Sequence, residues 1–408
     1  MKEINVLYIT YNGLLSHLGQ SQILPYIREL KNKGNVFFVI SFEKEDHKPK
    51  SGFDYIRYWK FLRYTYRFGV VSKIYDIFCG LFWGFFLCIK NEIKIIHCRS
   101  YLPTLIGLII KMLLFHKSIK VVFDMRGFLP DEYADIGHWD KKKPIYKIVK
   151  FFEKRLLFYS DHIVILTHAG KNYLEKKYNL KKITTIPCCV DELRFKRTAH
   201  SVDVSKKDLR KILFKKFENN LIEKKIFIYI GSVGTWYPLD KMIEFFKVIK
   251  TNEEKNSFFL LLVNDLEEKV TTLMSEYGVS PQDFAVMRVS GHEVMSYIQA
   301  VDYGIAFIKN IFSKIASSPI KNGEFIFAKI PIVCNDIGDN TFLISKDIGY
   351  VIKNFDELEY INGFNHIRRI DPNSYEYTKS REFVLQKHLG LSEGVKRYHH
   401  IYEKVIAC

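Results

Sequence analysis

The 408-residue sequence is poor in the patterns that mark the commoner chemistries. Its seven cysteines (Cys79, Cys88, Cys98, Cys188, Cys189, Cys334 and Cys408) are odd in number and include no C-x-x-C spacing. That excludes a disulfide framework and a cysteine zinc site. The 13 histidines show neither H-x3-H nor HExxH spacing, which argues against a histidine-carboxylate metal site. There is no G-x-S-x-G elbow, no G-x-G-x-x-G fingerprint and no Walker sequence. Paired carboxylates for glycoside hydrolysis stay open, because they need not be adjacent in sequence. Internal repeats and low-complexity tracts are also missing. The most apolar run, Ile77–Ile89, spans 13 residues between Asp76 and Lys90, whereas a spanning helix needs about 20. A first strand beginning at Ile4 leaves no room for a signal peptide. The expectation is a cytoplasmic protein, with peripheral attachment to the inner face of the cell membrane as a further step.

What is present is charge of one sign, unevenly placed. Lys and Arg number 62 against 45 Asp and Glu, a net charge of +17. Residues 1–200 carry +16 of it and residues 201–408 only +1. Such asymmetry points to an anionic neighbour for the N-terminal half: a membrane surface, nucleic acid or an acidic substrate. The 48% hydrophobic and 26% charged fractions are globular values and exclude a disordered or fibrous chain.

Short apolar runs alternate with longer helical stretches. Strands are expected at Ile4–Thr10, Val36–Phe42, Ile93–Arg99, Val121–Arg126 and His162–Thr167, then at Ile226–Ser232, Phe258–Val263, Phe284–Val289, Gly304–Ile308 and Ile330–Cys334. Runs that are apolar throughout suit strands buried on both faces of a parallel sheet. Between them, 3.6-residue spacing marks helices such as Ser21–Lys33, Ile145–Leu157, Lys241–Lys250 and His292–Ala300. The pattern is βαβα twice, hence two doubly wound α/β domains. We place an N-terminal domain at 1–200, a C-terminal domain at 201–390 and a closing helix at 391–408, with Tyr398, Ile401 and Val405 as its apolar spacing. The charged stretch Phe195–Lys225 reads as a linker followed by an early helix. Ligands of doubly wound sheets sit at the C-terminal ends of the strands, so the turns there are the informative segments.

Four of these turns stand out. In Ser317-Ser318-Pro319-Ile320-Lys321-Asn322-Gly323-Glu324, Ser318 suits an N-cap and Pro319 the first helical position. A helix start attracts anions, and Lys321 adds a full charge suited to a diphosphate. Glu324 can accept two hydrogen bonds from a vicinal diol such as that of ribose. An ordinary capped helix before a buried strand uses the same residues. In Gly231-Ser232-Val233-Gly234-Thr235-Trp236-Tyr237 the small residues allow close approach to a phosphate or sugar, and Trp236 and Tyr237 could stack on a base or a sugar. A tight turn with aromatic packing is the alternative. Gly13–Gln22, with Gly19 and Gln20 before a helix, suits an acceptor or a phosphate, or is a plain βα turn. Lastly, Asp124-Met125-Arg126-Gly127 and then Pro130-Asp131-Glu132 leave a central strand either into a cleft or as surface loop with an ion pair.

In order along the chain, these residues resemble a bacterial glycosyltransferase of family 4. The resemblance runs through LYITYNGLLSHLGQSQILPYIREL, VVFDMRGFLPDEYAD, YSDHIVILTHAGKNYL and TTIPCCVDELRF, then IGSVGTWYPLDKMIEFF, AVDYGIAFI and SSPIKNGEFIFAKIPIV. It implies the GT-B fold, two Rossmann-like domains facing a cleft, and retaining transfer of a sugar from a nucleotide sugar held by the second domain. Glu324 matches the second glutamate of an E-x7-E motif that binds the donor ribose. Lys321, Ser318 and the Gly231–Ser232 turn would hold the diphosphate, with Pro319, Trp236 and Tyr237 beside them. Gly19 and Gln20 match the acceptor-side loop, and Asp124, Asp131 and Glu132 are placed on that side. Arg126 falls where many relatives carry a histidine beside the transferred sugar, so Arg126 and Lys321 are the catalytic candidates. No cofactor or required metal is implied, since cations and a helix dipole stabilise the leaving diphosphate. Two positions depart from the pattern: the first motif glutamate is Ala316, and Ser232 and Tyr237 replace an Arg/Lys pair. The implied acceptor is a saccharide, lipid-linked or free, of surface polysaccharide synthesis.

Competing readings are a nucleotide-sugar epimerase of the same fold and a basic nucleic-acid-binding protein. A phosphorylase would need a pyridoxal-phosphate lysine, and nothing singles one out. No nucleic-acid module occurs, so nucleic acid is not an expected partner. An anionic membrane fits the charge better: Lys60, Arg63, Arg67 and Lys73 precede the aromatic run, and Lys141, Lys142, Lys143, Lys147 and Lys150 open another helix. Against it, 77–89 also reads as a helix buried between strands.

Overall fold

The apolar runs form parallel strands, and the order of those strands decides where polar residues can gather. The structure, a computed structural model, describes residues 3–44, 52–65, 70–193, 205–215, 217, 221–263, 267–291 and 293–407. The chain divides into two units: Met1–Cys189 with Ile315–Ser318 and Leu391–Cys408, and Val190–Lys314 with Pro319–Gly390. Much of the stretch expected as a linker lies outside the described residues; within it the helix Lys206–Leu213 is capped by Ser205, whose hydroxyl accepts from Asp208 N–H.

The first unit holds β1 (Ile4–Thr10), β2 (Asn35–Glu43), β3 (Tyr58–Arg63), β4 (Ile95–Arg99), β5 (Lys120–Met125), β6 (His162–Ile165) and β7 (Ile183–Thr185). They pair in parallel in the order β3-β2-β1-β4-β5-β6-β7. The order reverses between β1 and β4, the switch point beside which doubly wound sheets bind ligands. One face, with Leu7, Ile9, Ile40, Ile96 and Val121, packs under the helices Val70–Lys90 and Tyr101–Leu113. Gly80 and Gly84 let these helices close up: a Cβ there would lie 2.7 Å from Ile106 and 2.5 Å from Ile110. The other face, with Val6, Tyr8, Val39, Ile95 and Val122, is covered by the helices Leu24–Lys31 and Leu391–Ala407. The closing helix therefore belongs to this unit, and Tyr398, Ile401 and Val405 are its buried stripe.

The second unit holds β8 (Lys225–Ile230), β9 (Ser257–Leu262), β10 (Phe284–Met287), β11 (Tyr303–Ala306), β12 (Ile332–Asn335) and β13 (Gly349–Ile352). They pair in parallel in the order β10-β9-β8-β11-β12-β13. Here the switch point lies between β8 and β11. Side chains alternate from β8 and β9 into two buried layers, Ile226, Ile228, Phe258 and Leu260 on one face and Phe227, Tyr229, Phe259 and Leu261 on the other. The expected fold class, two doubly wound parallel-sheet domains, is observed.

One length expectation is corrected. The run Ile77–Ile89 is part of a 21-residue helix, Val70–Lys90, because helix-compatible residues extend the apolar stretch N-terminally past Asp76. By length and composition it could cross a bilayer, yet it packs one face on the sheet.

Candidate functional site

In the second unit, β8 is followed directly by Gly231, whose φ of +127° only glycine adopts without strain. After β11 the chain returns as the helix Ile320–Phe327, and its second residue, Lys321, reaches back to that turn. A Cβ at Gly231 would lie 3.2 Å from Lys321 Nζ. The ammonium sits 4.2 Å from the Tyr229 ring centroid and 3.9 Å from that of Tyr237. It is buried and makes no hydrogen bond among the described residues. Burial pushes the Lys321 amine down to about 7, while the charge of Glu324 acts the other way. A buried ammonium with no hydrogen-bond acceptor is costly, and the two rings and the charge of Glu324 offset part of that cost. Glu324, on the same helix and 7% exposed, completes the cluster.

The turn itself is tied down locally. Tyr229 OH donates to the Ser232 carbonyl, and Gly234 N–H to the Tyr237 carbonyl at 3.3 Å. Trp236 stacks under Lys314, whose Nζ is 3.7 Å from the ring centroid. Both aromatic residues named in the sequence therefore pack on lysines. The expected N-cap is corrected: Pro319 occupies the cap position with no side-chain hydrogen bond, and Ser318 Oγ instead accepts from Cys188 N–H at 3.4 Å within the first unit. Pro319, at ψ 127°, is still extended, so the helix starts one residue later than expected.

In the first unit, Gly19 lies inside the short helix His17–Gln22 rather than before it, with Ser16 Oγ accepting its N–H. A Cβ there would meet the Gly13 and Leu14 carbonyls at 2.3 Å, so only glycine fits this fold of the loop. Buried Glu43 anchors the same loop by accepting Leu14 N–H at 2.7 Å and Leu15 N–H at 3.3 Å. Gln20 is exposed and donates to the Leu14 carbonyl at 3.2 Å.

Asp124 and Arg126 do come together, at the ends of β4 and β5. Arg126 Nη1 is 3.3 Å and Arg99 Nη1 3.4 Å from the Asp124 carboxylate. Both guanidiniums also donate to Gln22 Oε1, at 2.9 Å from Arg99 and 3.2 Å from Arg126. Arg126 further contacts Cys188 Sγ at 3.1 Å. His97 stands 3.6 Å from Asp124 and bonds Tyr402 OH at 2.7 Å. Burial works against ionisation of Asp124, but Arg126, His97 and Arg99 together hold its carboxyl below the usual range. Burial also opposes the charge on Arg126, and Asp124 outweighs it, so that guanidinium is raised further. Burial lowers His97, against the pull of Asp124. Asp131 points elsewhere: its carboxylate accepts from Tyr146 OH at 2.7 Å and Lys150 at 2.9 Å. Glu132 is half-buried, with Oε1 2.9 Å from a Cβ placed on Gly127.

Several partners had no voice in the sequence reading. Gln22, Arg99, His97 and Tyr402 complete the Asp124 cluster from three separate segments, His97 and Arg99 sharing β4. Behind Lys321, Asn322 donates to Asn340 Oδ1 at 3.0 Å, Asn340 to the Asn335 carbonyl at 2.9 Å, and Asn335 exchanges bonds with the Ile308 backbone at 2.8 and 2.9 Å. This buried ladder fixes the first turn of the helix to the ends of β11 and β12. A signal existed in Asn335, a polar residue closing an apolar strand.

Against known proteins, residues 22–194 match Glycosyltransferase Family 4. No curated protein matches the sequence. Among solved structures, sucrose-phosphate synthase from Thermosynechococcus elongatus is similar at a TM-score of 0.72 with 13% identity, over 99% of this chain and 100% of that one. Anabaena HepE in complex with UDP-glucose is similar at 0.68 with 10% identity, over 100% of both chains. WaaG, a glycosyltransferase involved in lipopolysaccharide biosynthesis, is similar at 0.66 with 12% identity, over 97% and 99%. The family 4 glycosyltransferase match thus lies within residues 22–194, and the two parallel-sheet units have the GT-B fold of these solved glycosyltransferases.

Proposed function

We propose that this chain is a retaining glycosyltransferase that moves a sugar from a nucleoside-diphosphate sugar to a saccharide acceptor, lipid-linked or free, in the assembly of bacterial surface polysaccharide. The observation that carries the reading is the Lys321 ammonium, buried and without a hydrogen-bonding partner at the Gly231 turn. A diphosphate placed there supplies the missing hydrogen-bond acceptors and further negative charge, aided by the N–H groups at the helix start. Glu324, three residues further along the helix, accepts from the ribose hydroxyls. In the transfer, the bond between the sugar carbon and the diphosphate oxygen breaks, and the acceptor hydroxyl adds to that carbon from the same face. Its proton leaves on the diphosphate, whose developing charge Lys321 stabilises. Arg126, in the first unit, is the acceptor-side candidate. The same fold carries UDP-glucose in the Anabaena protein, which supports a nucleotide-sugar donor here.

Calorimetry with UDP and a panel of nucleotide sugars tests the assignment. Glu324→Gln is expected to weaken donor binding about tenfold, the size of one charged hydrogen bond, without changing the melting temperature by more than a degree or two. Unchanged donor affinity would place the donor elsewhere. Conversion of a nucleotide sugar to an isomer with no acceptor present would assign an epimerase instead.

A further inference from the structure

The outer layer of the first unit is unusually apolar for a surface. Helix Val70–Lys90 turns Val71, Ile74, Phe78, Phe82, Phe86 and Ile89 outward at intervals of three and four residues. Phe78 is 67% exposed and Phe82 58%. The next helix, Tyr101–Leu113, ends in Met112 and Leu113, and the turn after it exposes Phe115 at 81%. Lys117 fastens that turn to the end of the first helix by donating to the Cys88 and Ile89 carbonyls at 3.1 and 3.2 Å. Helix Pro144–Tyr159, joined to Tyr101–Leu113 through Tyr101 OH and Glu153, adds Ile148, Phe151, Phe152 and Phe158. Scattered exposed apolar residues need no explanation, but a stripe continued over three neighbouring helices does.

Charge distinguishes the occupants. None of the three helices has an exposed acidic residue: Asp76 and Glu153 are buried, and Tyr101–Leu113 has none. Exposed cations flank the apolar side chains, with Lys90 ending the first helix and Lys141, Lys142, Lys143, Lys147, Lys154 and Arg155 at the third. A second copy docked across a two-fold axis would set these lysines against one another. An anionic bilayer instead takes both halves of the pattern, aromatic side chains at the acyl boundary and cations at the headgroups.

We propose that the outward faces of helices Val70–Lys90, Tyr101–Leu113 and Pro144–Tyr159 form a docking surface for an anionic lipid bilayer, on which the protein lies without crossing it. The inward face of the first helix is committed to the sheet, so the helix cannot span while the fold is kept.

Co-sedimentation of the full chain with vesicles tests this, using phosphatidylcholine alone or with one third phosphatidylglycerol, and brominated acyl chains to quench tryptophan. Binding to the anionic vesicles about tenfold or more above the neutral ones is expected, with quenching of Trp83 on the docking helix. Phe78→Ser with Phe82→Ser, and separately Lys143→Glu with Lys147→Glu and Lys154→Glu, should each lower it about tenfold; all five side chains point outward, and thermal melts verify folding. Binding equal to wild type in the serine variant, or none to anionic vesicles by wild type, overturns the proposal. So does a concentration-dependent dimer that the serine variant abolishes, which gives the face to a second copy. Vesicle binding needs no nucleotide sugar, so its outcome is independent of the transfer reaction.

Discussion

A Lys321→Met protein is expected to lose about 100- to 1000-fold in kcat/KM for sugar transfer while melting at or above the wild-type temperature. The two halves of this result have one cause. In the unliganded fold the ammonium is buried between Tyr229 and Tyr237 with no hydrogen-bonding partner among the described residues, so methionine, of similar length and apolar, removes a desolvation cost. In the donor complex proposed above, that ammonium would face the diphosphate as its charge develops, and methionine would not replace it. Loss of activity with loss of stability would instead mark Lys321 as structural. Unchanged activity would remove it from the site.

The same residue gives a pH signature. With its amine at about 7 in the free protein, Lys321 is largely neutral at pH 8, and a bound diphosphate raises it again. Donor binding then takes up a proton, and affinity falls about tenfold per pH unit above 7. Calorimetry in two buffers of different ionisation enthalpy should show that uptake in wild type and not in Lys321→Met. For stability the sign runs oppositely. Between pH 7 and the ordinary lysine range the unfolded chain holds a proton that the folded one lacks, so folding gains as pH rises. The stability advantage of Lys321→Met at pH 6 should therefore shrink toward pH 10.

What the sequence made legible follows burial. Strands in the interiors of both sheets are apolar on both faces and were visible as runs. The three strands not foreseen, Tyr58–Arg63, Ile183–Thr185 and Gly349–Ile352, all lie at sheet edges. There solvent takes part of the surface, and the apolar run breaks into mixed sequences such as YWKFLR. The site divides similarly. Gly231, Lys321 and Arg126 stood out because small or charged residues interrupt apolar segments. Tyr229 read as core, and it is core, but its ring also cages the Lys321 ammonium. Gln22, Arg99 and Tyr402 could not be linked to Asp124, because their meeting depends on strand order and on where the closing helix packs. For Asp131 the sequence left a cleft and a surface ion pair both open; the pair it makes, with Lys150, is set by a helix contact that no local pattern encodes.

Asp124→Asn is expected to destabilise the protein by about 3–5 kcal/mol, lowering the melting temperature by about 10 °C. The change keeps the shape and one acceptor oxygen, so the effect is that of charge. Asp124 is the carboxylate between Arg99, 3% exposed, and Arg126, 13% exposed on its side chain. Gln22 offers both guanidiniums a neutral oxygen, and His97 adds no counter-charge. Without Asp124, two buried cations face each other unpaired. Because the Asp124 carboxyl is held below its usual range, its stabilisation is fully present above pH 4 and is lost only as pH falls through that lowered value. Wild type and Asp124→Asn should therefore differ by a constant amount from pH 5 to 8 and converge in stronger acid. Coupling is read from Asp124→Asn combined with Arg126→Gln: the double variant should recover part of the loss, since one unpaired cation has gone with its partner. A fully additive cycle would mean that Arg126 is neutralised by something other than Asp124.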